Sequence, residues 1–231
     1  MKQEIKAKYL GDWLSSYGLS DSVAATVKKR KGLVVQSVYE IRAIIDDCRS
    51  QVCGGLAAVL PMLLYNSDCW MEVTPQTIQD LENLQKDFYR CLLAVGSGCP
   101  IPSLYWETGG MMMKYRILKK KLLFLHHLAT LPCDTLAREI FEVQVKLALP
   151  GLVKECQEYL VLWSITNLND FTSTEWKKTI RDKIDKLNND DIVEQTRSYK
   201  KLSHEEFVQQ KCNRKEYMSS LNIAEARMKF N

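Results

Sequence analysis

Residues 111–131 read Met-Met-Met-Lys-Tyr-Arg-Ile-Leu-Lys-Lys-Lys-Leu-Leu-Phe-Leu-His-His-Leu-Ala-Thr-Leu. Met111, Tyr115, Leu118, Leu122, Leu125 and Ala129 recur at helical spacing and make one apolar stripe, while Met113, Ile117, Phe124, Leu128 and Leu131 make a second. A helix apolar on two sides packs between neighbours, so this stretch predicts the centre of a helical fold. It also carries Lys114, Arg116, Lys119, Lys120 and Lys121 with no acidic residue among them. Clustered cations gain affinity for nucleic acid by releasing counterions from its phosphates, which makes this stretch the best local candidate for meeting phosphate. Lys28-Lys29-Arg30-Lys31 is a second such run. The plain alternative for both is a solvated helix face.

Outward from this centre, the helical period extends in both directions. Toward the N-terminus, Thr74-Pro75 reads as an N-cap followed by proline at the first helical position, and Leu81, Leu84, Phe88, Cys91 and Val95 then follow at steps of three and four. This helix should stop at Gly96-Ser97-Gly98-Cys99-Pro100-Ile101-Pro102, whose glycines and prolines continue neither regular structure. Val23, Val27, Val34, Val38, Ile41, Ile45 and Cys48 predict an earlier helix behind the cap pair Ser20-Asp21, with an interruption expected at Gly32. Pro61 should start or kink another. Ahead of them, Ile5 to Leu14 carries β-favouring residues around Gly11-Asp12 and reads as a hairpin. Toward the C-terminus, Leu136 to Ala148 and Leu152 to Trp163 keep the helical pattern across a break at Pro150-Gly151. Beyond about Asn167 the chain turns polar, and Asn188-Asn189-Asp190-Asp191 reads as a break. The expected architecture is mainly α: a short N-terminal β-hairpin at 1–19, a helical bundle over 20–166, and a polar helical extension over 167–231.

Composition bounds the function more loosely. With 46% hydrophobic residues the chain can build one sizeable core or two small ones, and its net charge of +4 is compatible with nucleic acid without demanding it. Glu4 among the N-terminal lysines, with no apolar core behind them, is not a secretory signal, and the expected location is intracellular. Apolar runs such as Leu56 to Tyr65 fall short of the roughly 20 residues that cross a bilayer, so no membrane partner is expected. Eight cysteines without regular spacing read as free buried thiols.

Residue types that could carry chemistry are weighed against their context. Asp46-Asp47 resembles the paired carboxylates that hold two metal ions in phosphoryl transfer, but it lies within a helical pattern behind Ile44, and a solvated helix face is the better reading. Cys48 with Cys53, and His126-His127 with Cys133, lack the second ligand pair of a metal site; they read as buried thiols and surface histidines. Gly96-Ser97-Gly98 lacks the Gly-Lys-Ser/Thr ending of a phosphate loop. Tyr9 and Trp13 could stack on a nucleotide or anchor the hairpin, packing being the better reading for Trp13.

Four segments in fixed order resemble one family. Lys8-Tyr9-Leu10-Gly11 looks like a primer-grip hairpin, and Leu60-Pro61-Met62-Leu63-Leu64-Tyr65-Asn66-Ser67-Asp68-Cys69-Trp70 is similar to the Pro-x-Leu-Leu-Tyr-Gly-Ser-Glu-x-Trp stretch that follows it. Leu81-Glu82-Asn83-Leu84-Gln85 with Phe88-Tyr89-Arg90-Cys91-Leu92-Leu93 resembles a Leu-Glu-x-x-Gln and Arg-x-Leu-Leu signature. The run from Pro100-x-Pro102 through Trp106-Glu107-Thr108-Gly109-Gly110 to Met113-Lys114-x-Arg116-Ile117 is the fourth. Together they resemble reverse transcriptases of non-LTR retrotransposons, downstream of the catalytic palm, over about residues 6–155. Glu225-Ala226-Arg227-Met228-Lys229-Phe230 is similar to a segment ahead of a cysteine-rich module in some members.

The resemblance implies a thumb-like helical region that grips an RNA/DNA template-primer duplex through Lys8, Tyr9, Leu10, Gly11, Lys114, Lys119, Lys120 and Lys121. In the family the Tyr-x-Asp-Asp hairpin precedes the primer grip, and only seven residues precede Lys8 here. The expectation is therefore a fragment of an RNA-directed DNA polymerase that lacks the catalytic aspartates. It would hold no cofactor, since the family's Mg would be bound by residues absent here, and would extend no primer by itself. The competing expectation is a helical protein-interaction module, with self-association through surface bared by loss of the palm, or a relic of a mobile element without function.

Overall fold

A computed structural model describes residues 6–9, 12–15, 19–47, 59–70, 72–93, 95–149 and 151–199, and the chain is mainly helical. Strands β1 (Lys6–Tyr9) and β2 (Asp12–Ser15) pair antiparallel, with Lys8 opposite Trp13 and Tyr9 opposite Asp12. Asp12, expected in the turn, is thus a strand residue, while Gly11 lies outside the described residues. Helices α1 (Leu19–Asp47), α2 (Pro75–Leu93), α3 (Ile101–Thr108), α4 (Met113–Ala129), α5 (Leu136–Lys146), α6 (Leu152–Leu162) and α7 (Ser173–Ser198) follow, with a further helical turn at 59–63 ahead of α2. Among the described residues no helix is long and apolar enough to cross a membrane.

These elements form two compact units interleaved along the chain: one within residues 1–25, 66–74 and 114–185, the other within 26–65, 75–113 and 186–231. The boundary expected near Asn167 falls inside the first unit. In that unit the predicted stripe of α4 is buried through Tyr115, Leu118, Leu122, Leu125 and Ala129, whereas Phe124 and Leu128 of the second stripe are half-buried. Trp176 is 1% exposed and donates its indole N–H to the Leu122 carbonyl at 3.0 Å. The His126 ring stacks on it at 5.2 Å and 14°, with Nε2 3.0 Å from the Phe171 carbonyl. His126, expected on the surface, is therefore a core residue, while His127 beside it is exposed.

In the second unit α2 begins at Pro75, as the Thr74-Pro75 pair predicts, and packs on α3. The eight-residue α3 starts inside the segment expected to be irregular, because Pro100 precedes it and Pro102 sits in its first turn, where no intrahelical donor is needed. It ends at Gly109, whose left-handed φ of 61° closes the helix by a bond from its N–H to the Tyr105 carbonyl. Gly32 does not interrupt α1, and Arg30 of the basic run is buried, its Nη1 bonding the Tyr65 carbonyl at 2.5 Å.

The break expected at Asn188-Asn189-Asp190-Asp191 does not occur, since α7 runs through it. Every fourth residue of α7 is buried: Trp176, Ile180 and Ile184 in the first unit, then Asn188, Ile192 and Thr196 in the second. Asn188 is satisfied inside the second unit, accepting the Met112 N–H at 2.9 Å and donating to the Gly110 carbonyl at 3.4 Å. A buried amide with both ends bonded can sit where an apolar side chain otherwise would.

The start of α7 is fixed by a capping box. Thr172 donates its backbone N–H and its hydroxyl to the Glu175 carboxylate at 2.9 and 2.8 Å, and the Glu175 N–H returns a bond to the Thr172 hydroxyl at 3.3 Å. The two bonds from Thr172 hold the Glu175 carboxyl below the usual carboxylate range. Its contribution to stability is therefore present above the unfolded carboxylate pKa and lost as pH falls through the lower folded value. Thr172→Ala should cost about 1 kcal/mol at neutral pH. Thermal unfolding followed by circular dichroism should show the gap between the two proteins narrowing in acid; a gap independent of pH would refute the assignment.

Candidate nucleic-acid interface

Three consecutive lysines on an α-helix sweep about 200° of its circumference, so they cannot share one face. On α4 this divides the expected phosphate contacts. Lys114 is exposed, with its ammonium 4.8 Å over the Tyr115 ring, and Lys119 and Lys120 are half-buried. Lys121 is 4% exposed and turned into the first unit, where its ammonium pairs with the Glu155 carboxylate. The other Glu155 oxygen accepts the Glu72 backbone N–H at 3.0 Å. Lys121, expected to meet phosphate, is a structural cation here. Cys156 is buried beside this pair, and burial pushes its thiol up to about 12 against the opposing pull of Lys121, so it is an inert thiol. Of the other described cysteines, Cys69 and Cys133 are exposed and Cys91 and Cys99 half-buried, so the expectation of buried thiols holds for Cys156 alone among the five.

Lys119 and Arg116, one turn apart on α4, share the first unit with Arg181 and Asp185 of α7, and all three neighbours act electrostatically on Lys119. Burial lowers the Lys119 pKa; Asp185 opposes that, and Arg181 and Arg116 push it further down. Arg116 and Arg181 thus act on Lys119 as like charges while Asp185 opposes them, and like charges that depress one another gain when a polyanion arrives. Arg181 was not singled out by sequence reading. Its signal is the Arg181/Asp185 pair at a four-residue step, visible only once α7 is known to be helical.

The other expected contacts are less fully placed. Lys8 and Tyr9 lie in β1, while Leu10, Gly11 and the Glu225 to Phe230 segment lie outside the described residues. The side chains of Lys8, Tyr9, Trp13, Asp46 and Asp47 likewise lie outside the description; Asp46 and Asp47 end α1.

The signature residues of α2 converge with those of α3 in the interior of the second unit. Tyr105 donates its hydroxyl to Glu82 at 2.6 Å, and Gln85 donates to the Tyr89 hydroxyl at 2.7 Å and to the Met111 carbonyl at 2.9 Å. The Tyr89 and Tyr105 rings meet edge to face at 5.7 Å. A Cβ at Gly110 would overlap the Tyr89 ring and hydroxyl, so only glycine fits there. These motif residues are therefore a buried, mutually satisfied polar network that sets how α2 meets the turn after α3.

Among the described residues no group of three His, Cys, Asp or Glu side chains could hold a metal ion. The first unit contains an open cavity of about 640 Å³ lined mainly by apolar residues, among them Leu125, Phe141, Val153 and Leu160. Its charged liner, Arg138, is occupied by Glu142 at 2.7 Å and by the Leu128 and Ala129 carbonyls. No acid–base pair faces it. Compared with known proteins, the chain matches no family model, no curated protein and no solved structure.

Proposed function

We propose that this chain is the template-primer-binding portion of a non-LTR retrotransposon reverse transcriptase and takes no part in the chemical step. The observation that carries the reading is that Lys119 shares its electrostatic surroundings with Arg116 of the same helix and Arg181 of α7, cations gathered at α4, whose sequence also carries part of the family resemblance. The ordered motifs support it independently, since their residues make the second unit's polar network. In this reading α4 and α7 meet the phosphate backbone, and the primer-grip segment Lys8-Tyr9-Leu10-Gly11 meets the primer terminus.

The test is binding of the purified chain to a labelled RNA–DNA duplex across a salt series. Phosphate contacts make affinity fall with salt, and each contacting cation removed should shrink the logarithmic slope by about 0.9. Lys119→Ala with Lys120→Ala should reduce it by one to two such steps. Absence of binding at low salt, or a slope indifferent to these substitutions, would leave the helical interaction module as the better account. Primer extension by the isolated chain in MgCl2 and nucleotides would overturn the proposal from the other side.

A further inference from the structure

Helix α5 is apolar on two opposite sides. Phe141 is buried and lines the first unit's cavity together with Arg138. On the other side Leu136, Ile140, Val143 and Leu147 follow at steps of four, three and four and are 71, 51, 50 and 60% exposed. Leu147 continues the helical turn, donating its N–H to the Val143 carbonyl at 2.9 Å. At 100° per residue these four positions fall within an arc of about 60°. Four aliphatic side chains alternating by three and four along so narrow an arc have the form of a seam between two packed helices.

The flanks of that seam say what fits it. Glu139 and Lys146, both exposed and seven residues apart, lie along one side, with Ala137 and Gln144 along the other. An identical helix laid antiparallel about a two-fold axis between Ile140 and Val143 sets Ile140 opposite Val143 and Leu136 opposite Leu147. The same operation brings Glu139 of each copy beside Lys146 of the other, twice over, whereas a parallel two-fold pair would set Glu139 and Lys146 of each copy beside the uncharged Ala137 and Gln144 flank of the other and form no charge pair. The stripe is therefore complementary to itself in shape and charge, as an isologous interface requires.

We propose that α5 is a dimerisation helix that packs antiparallel against α5 of a second copy of this chain. Four aliphatic residues at 50 to 71% exposure present on the order of 400 Å² per copy, a patch as large as monomers carry for function but about half of one side of a standard interface. The dimer is accordingly weak and forms in the micromolar range.

Sedimentation equilibrium of the full chain across that range should show a monomer–dimer equilibrium. Ile140→Gln with Val143→Gln changes two exposed positions to good helix formers; this variant should melt like the parent and sediment as a monomer throughout. Glu139→Lys should raise the dimer Kd about three- to tenfold, since two attractive contacts become repulsive, and adding Lys146→Glu should restore it. A parent chain that is monomeric at every concentration, or a dimer indifferent to the glutamine pair, would overturn the proposal. So would a double charge reversal that stays as weak as the single one. The glutamine pair should keep the full salt slope of duplex binding, so this inference and the nucleic-acid reading fail separately.

Discussion

Trp176→Ala should lower the unfolding free energy by about 3–5 kcal/mol, the range for removing a large aromatic from a core that cannot collapse onto the gap. The indole is 1% exposed, and its loss strips the stacked face from His126 and the edge contact from Phe171, whose ring lies 5.5 Å away at 60°. Cavity formation dominates; the bond to the Leu122 carbonyl contributes about 1 kcal/mol of it. Trp176→Phe, which keeps an aromatic ring but loses the N–H, should therefore cost less than half as much. Urea unfolding of both variants decides the matter, and an alanine variant within about 1 kcal/mol of the parent would show that Trp176 does not hold α7 to α4.

Glu155→Ala should cost about 2–3 kcal/mol, below the 3–5 of a fully buried pair because the Glu155 side chain is 35% exposed. The loss comes from what stays behind: Lys121 is almost wholly buried, and without its carboxylate a cation is left in the interior with no counter-charge. The Glu72 N–H loses its acceptor as well. Binding to an RNA–DNA duplex supplies the contrast. Glu155→Ala should lower stability in urea while leaving the salt slope of the folded protein unchanged, and Lys119→Ala with Lys120→Ala should do the reverse. A slope that grows when Glu155 is removed would mean that Lys121 swings out to phosphate, and the structural role assigned to it would fall.

Helices α2, α4, α5 and α6 were legible because each carries an apolar stripe dense enough to show the helical period within a dozen residues. Helix α3 was not: at eight residues it has about two turns, and Pro100 and Pro102, which start it, are the same residues that end helices elsewhere. Helix α7 was legible only as part of a polar helical extension with a break expected at Asn188 to Asp191, its continuity and buried face being hidden by dilution. Its buried residues keep a strict four-residue step, but two of the six are Asn188 and Thr196, so a reading that counts apolar positions sees a polar tract. The sequence Thr172-Ser173-Thr174-Glu175 announces the helix by its cap, a local signal independent of hydrophobicity. The basic site was half legible. The lysine run marked α4, but only the helical rotation separates Lys119 and Lys120 from the inward Lys121, and Arg181 is distant in sequence. His126 misled for the related reason that a polar ring next to an exposed His127 looks solvated until Trp176 lies over it.

Because the two units interleave and share α7, synthesis of the chain has a late commitment. As the polypeptide leaves the ribosome, residues up to about Asn167 emerge with both interiors still open: the first awaits Trp176, Ile180 and Ile184, and the second awaits Asn188, Ile192 and Thr196. Neither can close by itself in the N-to-C order usual for domains strung end to end. A premature stop before α7 would thus release no half-folded but serviceable product, and the nascent chain stays exposed to chaperones and proteases until its last described helix has been made.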